Sequence, residues 1–309
     1  MSDFVAPSPP LTVARSRARR LRHTLGTYLR LTKPRVIELL LVTTVPAMVL
    51  ADNGLPGLDL IAAVLVGGAC AAGGANTINC WIERDRDQLM QRTRDRPLPA
   101  REIPPVHALV FGIILEVVAF ALLWATAGLL AAALAISATL FYVFVYTIWL
   151  KPRSVQNIVI GGAAGAVPVL VGWAAVTGEV GAPAWLLFGV IFLWTPPHFW
   201  ALAMRYDEDY AAAGIPMLPV VRGRAAATRQ IVVYSVAVVL LSLALPLVGK
   251  SGTFYLVVAA VLGVALIVES IRLARDAGAE RAIRMFLFSN TYLALLFAAV
   301  AVDTFVRTA

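Results

Sequence analysis

The chain has 309 residues, of which 60% are hydrophobic and 14% are charged, with a formal net charge of +8. Charged residues make up about a quarter of a typical soluble domain, so this composition excludes an ordinary soluble globular protein. No aromatic-basic RNA-binding module or helix-turn-helix pattern accompanies the positive charge, and we therefore expect no nucleic-acid partner.

Nine apolar runs with the length of a membrane-spanning helix follow one another along the chain. A span needs about 20 apolar residues, and its backbone polar groups must be satisfied within lipid, which favours helices here. We therefore predict an all-α, polytopic membrane protein whose nine transmembrane helices form a bundle in the lipid bilayer. The runs cover about 35–54, 58–80, 104–125, 128–149, 157–177, 182–203, 230–249, 252–271 and 285–306.

The distribution of Lys and Arg predicts the orientation of these spans. Cytoplasmic loops of membrane proteins carry an excess of both residues. With a cytoplasmic N-terminus, the inner segments hold all the Lys and Arg residues except Lys250 and Arg307. The bias favours nine spans in a bacterial-type plasma membrane, with the C-terminus outside and the loops after the second and sixth helices in the cytoplasm.

The first 30 residues form a segment rich in arginine, "ARSRARRLRHTLGTYLR" at its centre, without the apolar core of a signal peptide. We interpret residues 1–30 as a disordered, basic cytoplasmic segment; a transit peptide is the alternative. Residues 31–309 are predicted to form one membrane domain. Cys70 and Cys80 lack metal-ligand spacing and are interpreted as packing residues.

Three oxygen-bearing side chains recur every four residues where the second span ends. Asn79, Glu83 and Asp87 would share one face of a helix, and the two carboxylates need a cation to offset their repulsion. Oxygen ligands suit Mg²⁺, which usually binds one or two carboxylates together with substrate phosphates. We call these residues the acidic ladder and predict a magnesium site there; a solvated loop with internal salt bridges is the alternative.

Arginines suited to phosphate follow the ladder, at Arg92, Arg94 and Arg96. A second polar cluster ends the sixth span, where Arg205 and Asp209 would share a helical face. Both clusters are predicted to lie at the cytoplasmic mouth of the bundle.

Further polar residues at the inner helix ends are candidates for the same site. Lys33 and Arg35 flank Pro34, and Lys151 and Asn157 lie between the fourth and fifth spans. Membrane-surface anchoring by the cations, and helix capping by Asn157, remain alternatives.

Two ionisable groups lie within predicted spans. His198 follows the kinking prolines of "WTPP" and is a candidate acid, base or ligand, or a hydrogen-bonded structural residue. Glu116 is the deepest carboxylate and is either functional or bonded to a neighbouring helix.

Together these residues favour transfer of a prenyl group from its diphosphate to a lipid-soluble acceptor. Metal and arginines would neutralise the leaving diphosphate. The aromatic faces of Tyr142, Tyr146 or Trp149 could then steady the allylic cation.

The stretch "NTINCWIERDRDQLMQRTRDRPLPA" (76–100) resembles the first signature of the UbiA-type intramembrane prenyltransferases, and its second half resembles their haem branch, the protohaem IX farnesyltransferases. The resemblance covers about residues 28–305. Three further stretches carry it: "LTKPRV" (31–36), "KPRSVQNIVIGGAAGAVPVLVGWAAVTG" (151–178) and "PPHFWALAMRYDEDYAAAGIPMLPVV" (196–221).

The resemblance implies farnesyl diphosphate as donor, protohaem IX (haem B) as acceptor and Mg²⁺ as cofactor. Farnesyl would join a haem vinyl group with addition of water, giving haem O for a haem-copper oxidase, with possible hand-over to a haem A synthase or the oxidase. The first metal-diphosphate motif is matched by Asn79, Glu83 and Asp87, and the second region by Arg205, Asp209 and Tyr210. Motifs of the haem branch are matched by Lys151, Asn157 and His198. The resemblance also implies Asp209 as a fourth metal ligand.

One position departs from the superfamily pattern. Many relatives have D-x-x-x-D in the second region, whereas this chain has Arg205-x-x-x-Asp209, which leaves the number of metal ions open. A quinone-precursor ring is the alternative acceptor. A transporter is the alternative from another class, although transporters usually place ionisable residues near the membrane midplane.

Overall fold

The computed structural model describes residues 11–249 and 251–308, which form helices and connecting loops without any strand. Residues 1–10, Lys250 and Ala309 lie outside the described residues. The helices are α1 (Leu11–Thr32), α2 (Pro34–Asp52), α3 (Leu58–Asp87), α4 (Pro105–Leu140), α5 (Asn157–Thr177), α6 (Ala182–Arg205), α7 (Asp207–Ala212), α8 (Leu218–Ser242), α9 (Thr253–Arg275) and α10 (Ala279–Thr308), with a π-helical segment (Phe141–Leu150) after α4 and a short 3₁₀ turn (Leu245–Val248) after α8.

Eight helices in the described part of the chain are long and apolar enough to cross a membrane, but one of them contains two spans. Pro105–Leu150 has 46 residues, or about 70 Å of helix against a hydrocarbon core of about 30 Å. Gly128 interrupts it with φ 87° and ψ 165°. Thr139 donates a 3.1 Å hydrogen bond to Glu116 across this break, so α4 folds back on itself. If the two halves of this helix are counted separately, the described residues contain nine spans, the predicted number.

The basic N-terminal segment differs from the prediction. Leu11–Thr32 is helical rather than disordered. Lys33 then adopts a left-handed conformation, with φ 54° and ψ 64°, and separates α1 from α2. The amide of Asn76 donates to the carbonyl oxygen of Thr32 at 3.0 Å and holds this bend against α3.

Small residues bring α3 and α4 into close contact. A Cβ atom on Gly74 would lie only 2.9 Å from the carbonyl oxygen of Gly112 and 2.6 Å from the carboxylate of Glu116. Small side chains let two membrane helices approach to backbone contact. The backbones of α3 and α4 are therefore held close together at Gly74 and Gly112.

The π-helical segment Phe141–Leu150 directs two polar residues towards α3. Two hydrogen bonds of 2.8 Å span five residues each in its wider turn. The backbone N–H of Lys151 donates to the carbonyl oxygen of Tyr146, and the hydroxyl of Thr147 donates to the carbonyl oxygen of Tyr142. Such segments are rare and occur frequently at functional sites. Here the segment delivers Thr147 and Lys151 to the acidic ladder.

Candidate active site

The acidic ladder occupies the last turns of α3. Asn79, Glu83 and Asp87 are 1%, 3% and 0% exposed, and their spacing in one helix confirms the predicted common face. The alternative prediction, a solvated loop, is wrong for these residues, because the bundle encloses all three side chains.

Each member of the ladder contacts a different basic side chain. The three cations come from separate parts of the chain: the junction of α1 and α2, the loop after α3, and the loop before α5. All three basic residues were among the predicted site residues, but their one-to-one pairing with the ladder was not predicted. The contacts are Lys33 Nζ to Asn79 Oδ1 at 2.7 Å, Lys151 Nζ to Glu83 Oε1 at 2.5 Å, and Arg96 Nη1 to Asp87 Oδ2 at 2.8 Å.

Burial and pairing together shift the pKa values of the three basic side chains. Burial alone would lower the pKa of Lys151, but the carboxylate of Glu83 outweighs it, and the pKa lies above its usual range. Burial would likewise lower the pKa of Arg96, but the carboxylate of Asp87 outweighs it, and this pKa is also raised. Burial lowers the pKa of Lys33, which faces an amide rather than a carboxylate. Lys151 and Arg96 are therefore charged at physiological pH.

The ladder fits a hard metal ion shared with a substrate. Asp87 Oδ1 is buried without a hydrogen-bond partner, so this carboxylate has an oxygen to offer. In the described residues, no three His, Cys, Asp or Glu side chains are placed so that they could hold a metal ion together, and two carboxylates with one amide are too few to enclose an ion. Mg²⁺ commonly binds in this way, keeping several waters and binding substrate phosphates.

Two threonines support the ladder, and neither was among the predicted site residues. Thr147 accepts a 3.1 Å hydrogen bond from the amide of Asn79, which orients the oxygen of that amide towards Lys33. Thr93 donates to the carbonyl oxygen of Asp87 at 2.8 Å. Thr147 carries the hydroxyl group within the apolar stretch "FYVFVYTIWL" that could have marked it as a site residue. The sequence around Thr93 offers no such signal.

The second polar cluster differs from its prediction in one respect. Arg205 and Asp209 do not share a helical face, because α6 ends at Arg205 and Tyr206 has non-helical angles of φ −121° and ψ 32°. Arg205 is exposed, with its guanidinium 5.4 Å from the Tyr206 ring.

Asp209 instead contacts the loop that follows α3, residues 88–104, here called the arginine loop. Its two carboxylate oxygens accept hydrogen bonds from the backbone N–H groups of Gln91 and Arg92 at 3.0 and 3.1 Å. The Arg92 side chain reaches back to the hydroxyl of Tyr210 at 3.4 Å and lies 5.2 Å from the ring of Tyr206. The two predicted clusters are thus joined.

Three of the other predicted residues have separate surroundings. Arg35 is exposed, and the ladder contacts described above are made by other residues. Asn157 is fully buried and donates to the carbonyl oxygen of Ser154 at 2.6 Å, while its own Oδ1 has no partner. No side-chain hydrogen bond caps the start of α5, so the predicted capping role of Asn157 is not observed. Arg94 is exposed.

His198 lies in α6 and packs against α10. Its ring stacks between Trp194 and Phe286, with centroid distances of 4.2 and 4.4 Å. Its Nδ1 is 2.8 Å from the hydroxyl of Ser289. The histidine is therefore held in one orientation.

Two of the three candidate aromatic residues face the site. Tyr142 and Tyr146 stack at 5.4 Å, and Lys151 Nζ lies 5.8 Å from the Tyr146 ring. Trp149 is 60% exposed on the outer surface.

Solved structures share the fold of this chain. The chain superimposes on a structure from a study of digeranylgeranylglyceryl phosphate synthase in membranes with a TM-score of 0.75, at 20% identity, over 91% of this chain and 99% of that one. A UbiA homologue from Archaeoglobus fulgidus bound to GPP and Mg²⁺ gives a TM-score of 0.63, also at 20% identity, over 89% of this chain and 99% of the homologue. These similarities show the fold.

Sequence comparison shows the family. Residues 40–292 match the model of the UbiA prenyltransferase family, and this chain belongs to that family. It is 54% identical to protoheme IX farnesyltransferase 1 of Saccharopolyspora erythraea, over 92% of this chain and 91% of the relative. It is 51% identical to protoheme IX farnesyltransferase of Mycolicibacterium smegmatis, over 93% of both chains. The chain is therefore a prenyltransferase by family, and the transporter alternative is not supported.

Proposed function

We propose that this protein transfers the farnesyl group of farnesyl diphosphate to a vinyl group of protohaem IX, with addition of water, releasing diphosphate and forming haem O. The pairing of three partly buried basic side chains with the acidic ladder is the observation that carries the proposal, because such a site suits a metal-bound diphosphate. The names of the relatives support haem as the acceptor.

Asn79, Glu83 and Asp87 would hold Mg²⁺, and the ion would supply charge neutralisation to the leaving diphosphate. Lys33, Lys151 and Arg96 contact the ladder directly. Each would exchange a protein oxygen for a diphosphate oxygen when the substrate arrives, and Arg96 can do so with two parallel hydrogen bonds. These residues therefore neutralise the leaving group at the inner end of the bundle.

The tyrosine pair beside Lys151 is suited to the organic half of the substrate. The faces of Tyr142 and Tyr146 would lie alongside the developing allylic cation, where a cation–π contact contributes about 0.5–2 kcal/mol. The enclosed surroundings exclude bulk water, which would otherwise capture that cation. The farnesyl chain itself extends into the apolar interior.

Haem is favoured as acceptor over a quinone-precursor ring because both relatives named above are protoheme IX farnesyltransferases. His198 is proposed to contact the haem, and its fixed ring supports such a role. In the cell, haem O would pass to a haem A synthase or directly to a haem-copper oxidase.

Competition between acceptors tests the proposed function. Membranes containing this protein would receive labelled farnesyl diphosphate, Mg²⁺ and either haem B or 4-hydroxybenzoate as a quinone-ring precursor. We expect label in a haem product and none in the aromatic acid. Label in the aromatic acid alone would contradict the choice of haem while leaving prenyl transfer intact.

A further inference from the structure

The carboxylate of Asp209 is occupied by the backbone of the arginine loop. Thr93 and Arg94 both donate their backbone N–H groups to the carbonyl oxygen of Met90, at 3.1 and 3.0 Å, and so form a single helical turn. The first N–H groups of such a turn have no partner within it. These are the groups of Gln91 and Arg92, and Asp209 accepts one hydrogen bond from each.

The same loop is attached to the ladder on its other side. Thr93 donates to the backbone of Asp87, and Arg96 pairs with the carboxylate of Asp87. The loop therefore runs between two anchors, Asp209 in α7 and Asp87 in α3. Its position sets where the guanidinium of Arg96 meets the proposed diphosphate.

We propose that Asp209 is a positioning residue that fastens the arginine loop over the diphosphate site, and that it is not a ligand of the metal. The inference rests on the proposed function for the role of the loop, but the fastening itself is independent of any substrate. It revises the expectation that Asp209 completes the metal site.

Two contrasts within the site support this assignment. Asp87 has a buried oxygen without a partner, whereas both oxygens of Asp209 already accept hydrogen bonds from the protein. Moreover, the position four residues before Asp209 holds the exposed Arg205. A second carboxylate, which would form a metal pair with Asp209, is thus replaced by a cation.

Hydrogen exchange measured on the metal-free, full-length protein in lipid nanodiscs tests the fastening. We expect Asp209→Ala to accelerate amide exchange of the peptide spanning residues 88–96 by about tenfold or more, because hydrogen bonds to a charged group are lost. Asp209→Asn, which keeps one acceptor oxygen, should give a smaller increase. Glu208→Gln alters the exposed neighbour in α7 and should leave exchange at the wild-type rate. Wild-type exchange in both Asp209 variants would overturn the proposal.

Metal stoichiometry separates positioning from ligation. With inorganic pyrophosphate and Mn²⁺ as probes, electron paramagnetic resonance should count the same number of bound ions in Asp209→Asn as in the wild type. The variant should bind pyrophosphate more weakly and raise KM for farnesyl diphosphate more than it lowers kcat. A lower ion count would overturn the proposal. Failure of the wild type to bind Mn²⁺ with pyrophosphate would refute the proposed metal site instead, while the exchange result would still decide the fastening.

Discussion

Lys151 Nζ lies 2.5 Å from Glu83 Oε1, and both side chains are enclosed at the inner end of the bundle. A buried carboxylate deprived of its partner is strongly destabilising, by about 3–5 kcal/mol. We therefore expect Lys151→Met to unfold at a lower temperature than the wild type, and Mg²⁺ to restore more stability to the variant than it adds to the wild type, because the ion can replace the missing charge.

Thermal unfolding in detergent, with and without Mg²⁺, measures this difference. Arg153→Met removes an exposed cation from the same loop and is the matched control, because its guanidinium contacts only backbone carbonyl oxygens. An equal response to Mg²⁺ in Lys151→Met and the wild type would contradict the role of Glu83 as a metal ligand.

Removal of charge from the ladder should abolish prenyl transfer without loss of protein. Glu83→Gln and Asp87→Asn keep the shape of each side chain but weaken binding of the ion, and we expect rates to fall about a hundredfold or more. Asp85→Asn lies between them on α3 with its side chain 79% exposed, and should retain activity. Product formation normalised to membrane abundance measures the effect. Similar activity in all three variants would remove the ladder from catalysis.

His198 should carry its proton on Nδ1. The hydroxyl of Ser289 donates its single proton to the carbonyl oxygen of Phe286 at 2.7 Å, so it can only accept from His198. In a neutral ring, Nε2 then carries the free lone pair. The chain has three histidines, so nitrogen spectra of histidine-labelled protein can be assigned with His198→Gln. A signal from protonated Nε2 would contradict this hydrogen-bond arrangement.

Close packing of α3 on α4 predicts a stability difference between two glycine substitutions. Gly74→Ala would press its methyl group against the backbone of Gly112, and overpacking of this kind costs about 1–3 kcal/mol. Gly165→Ala, where a methyl group meets open space, should unfold at or above the wild-type temperature. Equal unfolding temperatures for the two variants would show that the helices are further apart than described.

Nine spans predict that the two ends of the membrane domain lie on opposite sides of the membrane. A fluorescent protein inserted at residue 153 should fluoresce in the cytoplasm. Alkaline phosphatase fused after Thr308 should be active, because it reaches the outer side. An inactive phosphatase at the C-terminus, from a stable fusion, would show that the hairpin at Gly128 does not complete two spans.

Periodic features of the sequence predicted most of this architecture. The thickness of the membrane sets the length of the apolar runs, and the four-residue spacing of one helix face sets the positions of the ladder residues. Both patterns are local in the sequence. The hairpin at Gly128 followed from the length of its two runs. Of the predicted basic residues near helix ends, Lys33, Lys151 and Arg96 do contact the ladder, whereas the exposed Arg35 and Arg94 do not.

The pairing of residues within the site could not be predicted, because it depends on contacts between distant segments. Nothing in the sequence indicates that Lys33 meets Asn79 or that Lys151 meets Glu83. The π-helical turn that delivers Lys151 has no local signature in an apolar stretch. The break at Tyr206 also separated two residues that a continuous helix would have aligned. Asp209 was accordingly assigned by motif alone, without its backbone partners.

The central claim is that a buried ladder paired with cations binds a metal-diphosphate for prenyl transfer to haem. Its most direct test is mass spectrometry of haems extracted from membranes given haem B, farnesyl diphosphate and Mg²⁺. We expect a haem heavier by one farnesyl group and one water, absent with EDTA and absent from Asp87→Asn. An unmodified haem from folded wild-type protein, or the same product from Asp87→Asn, would contradict the account.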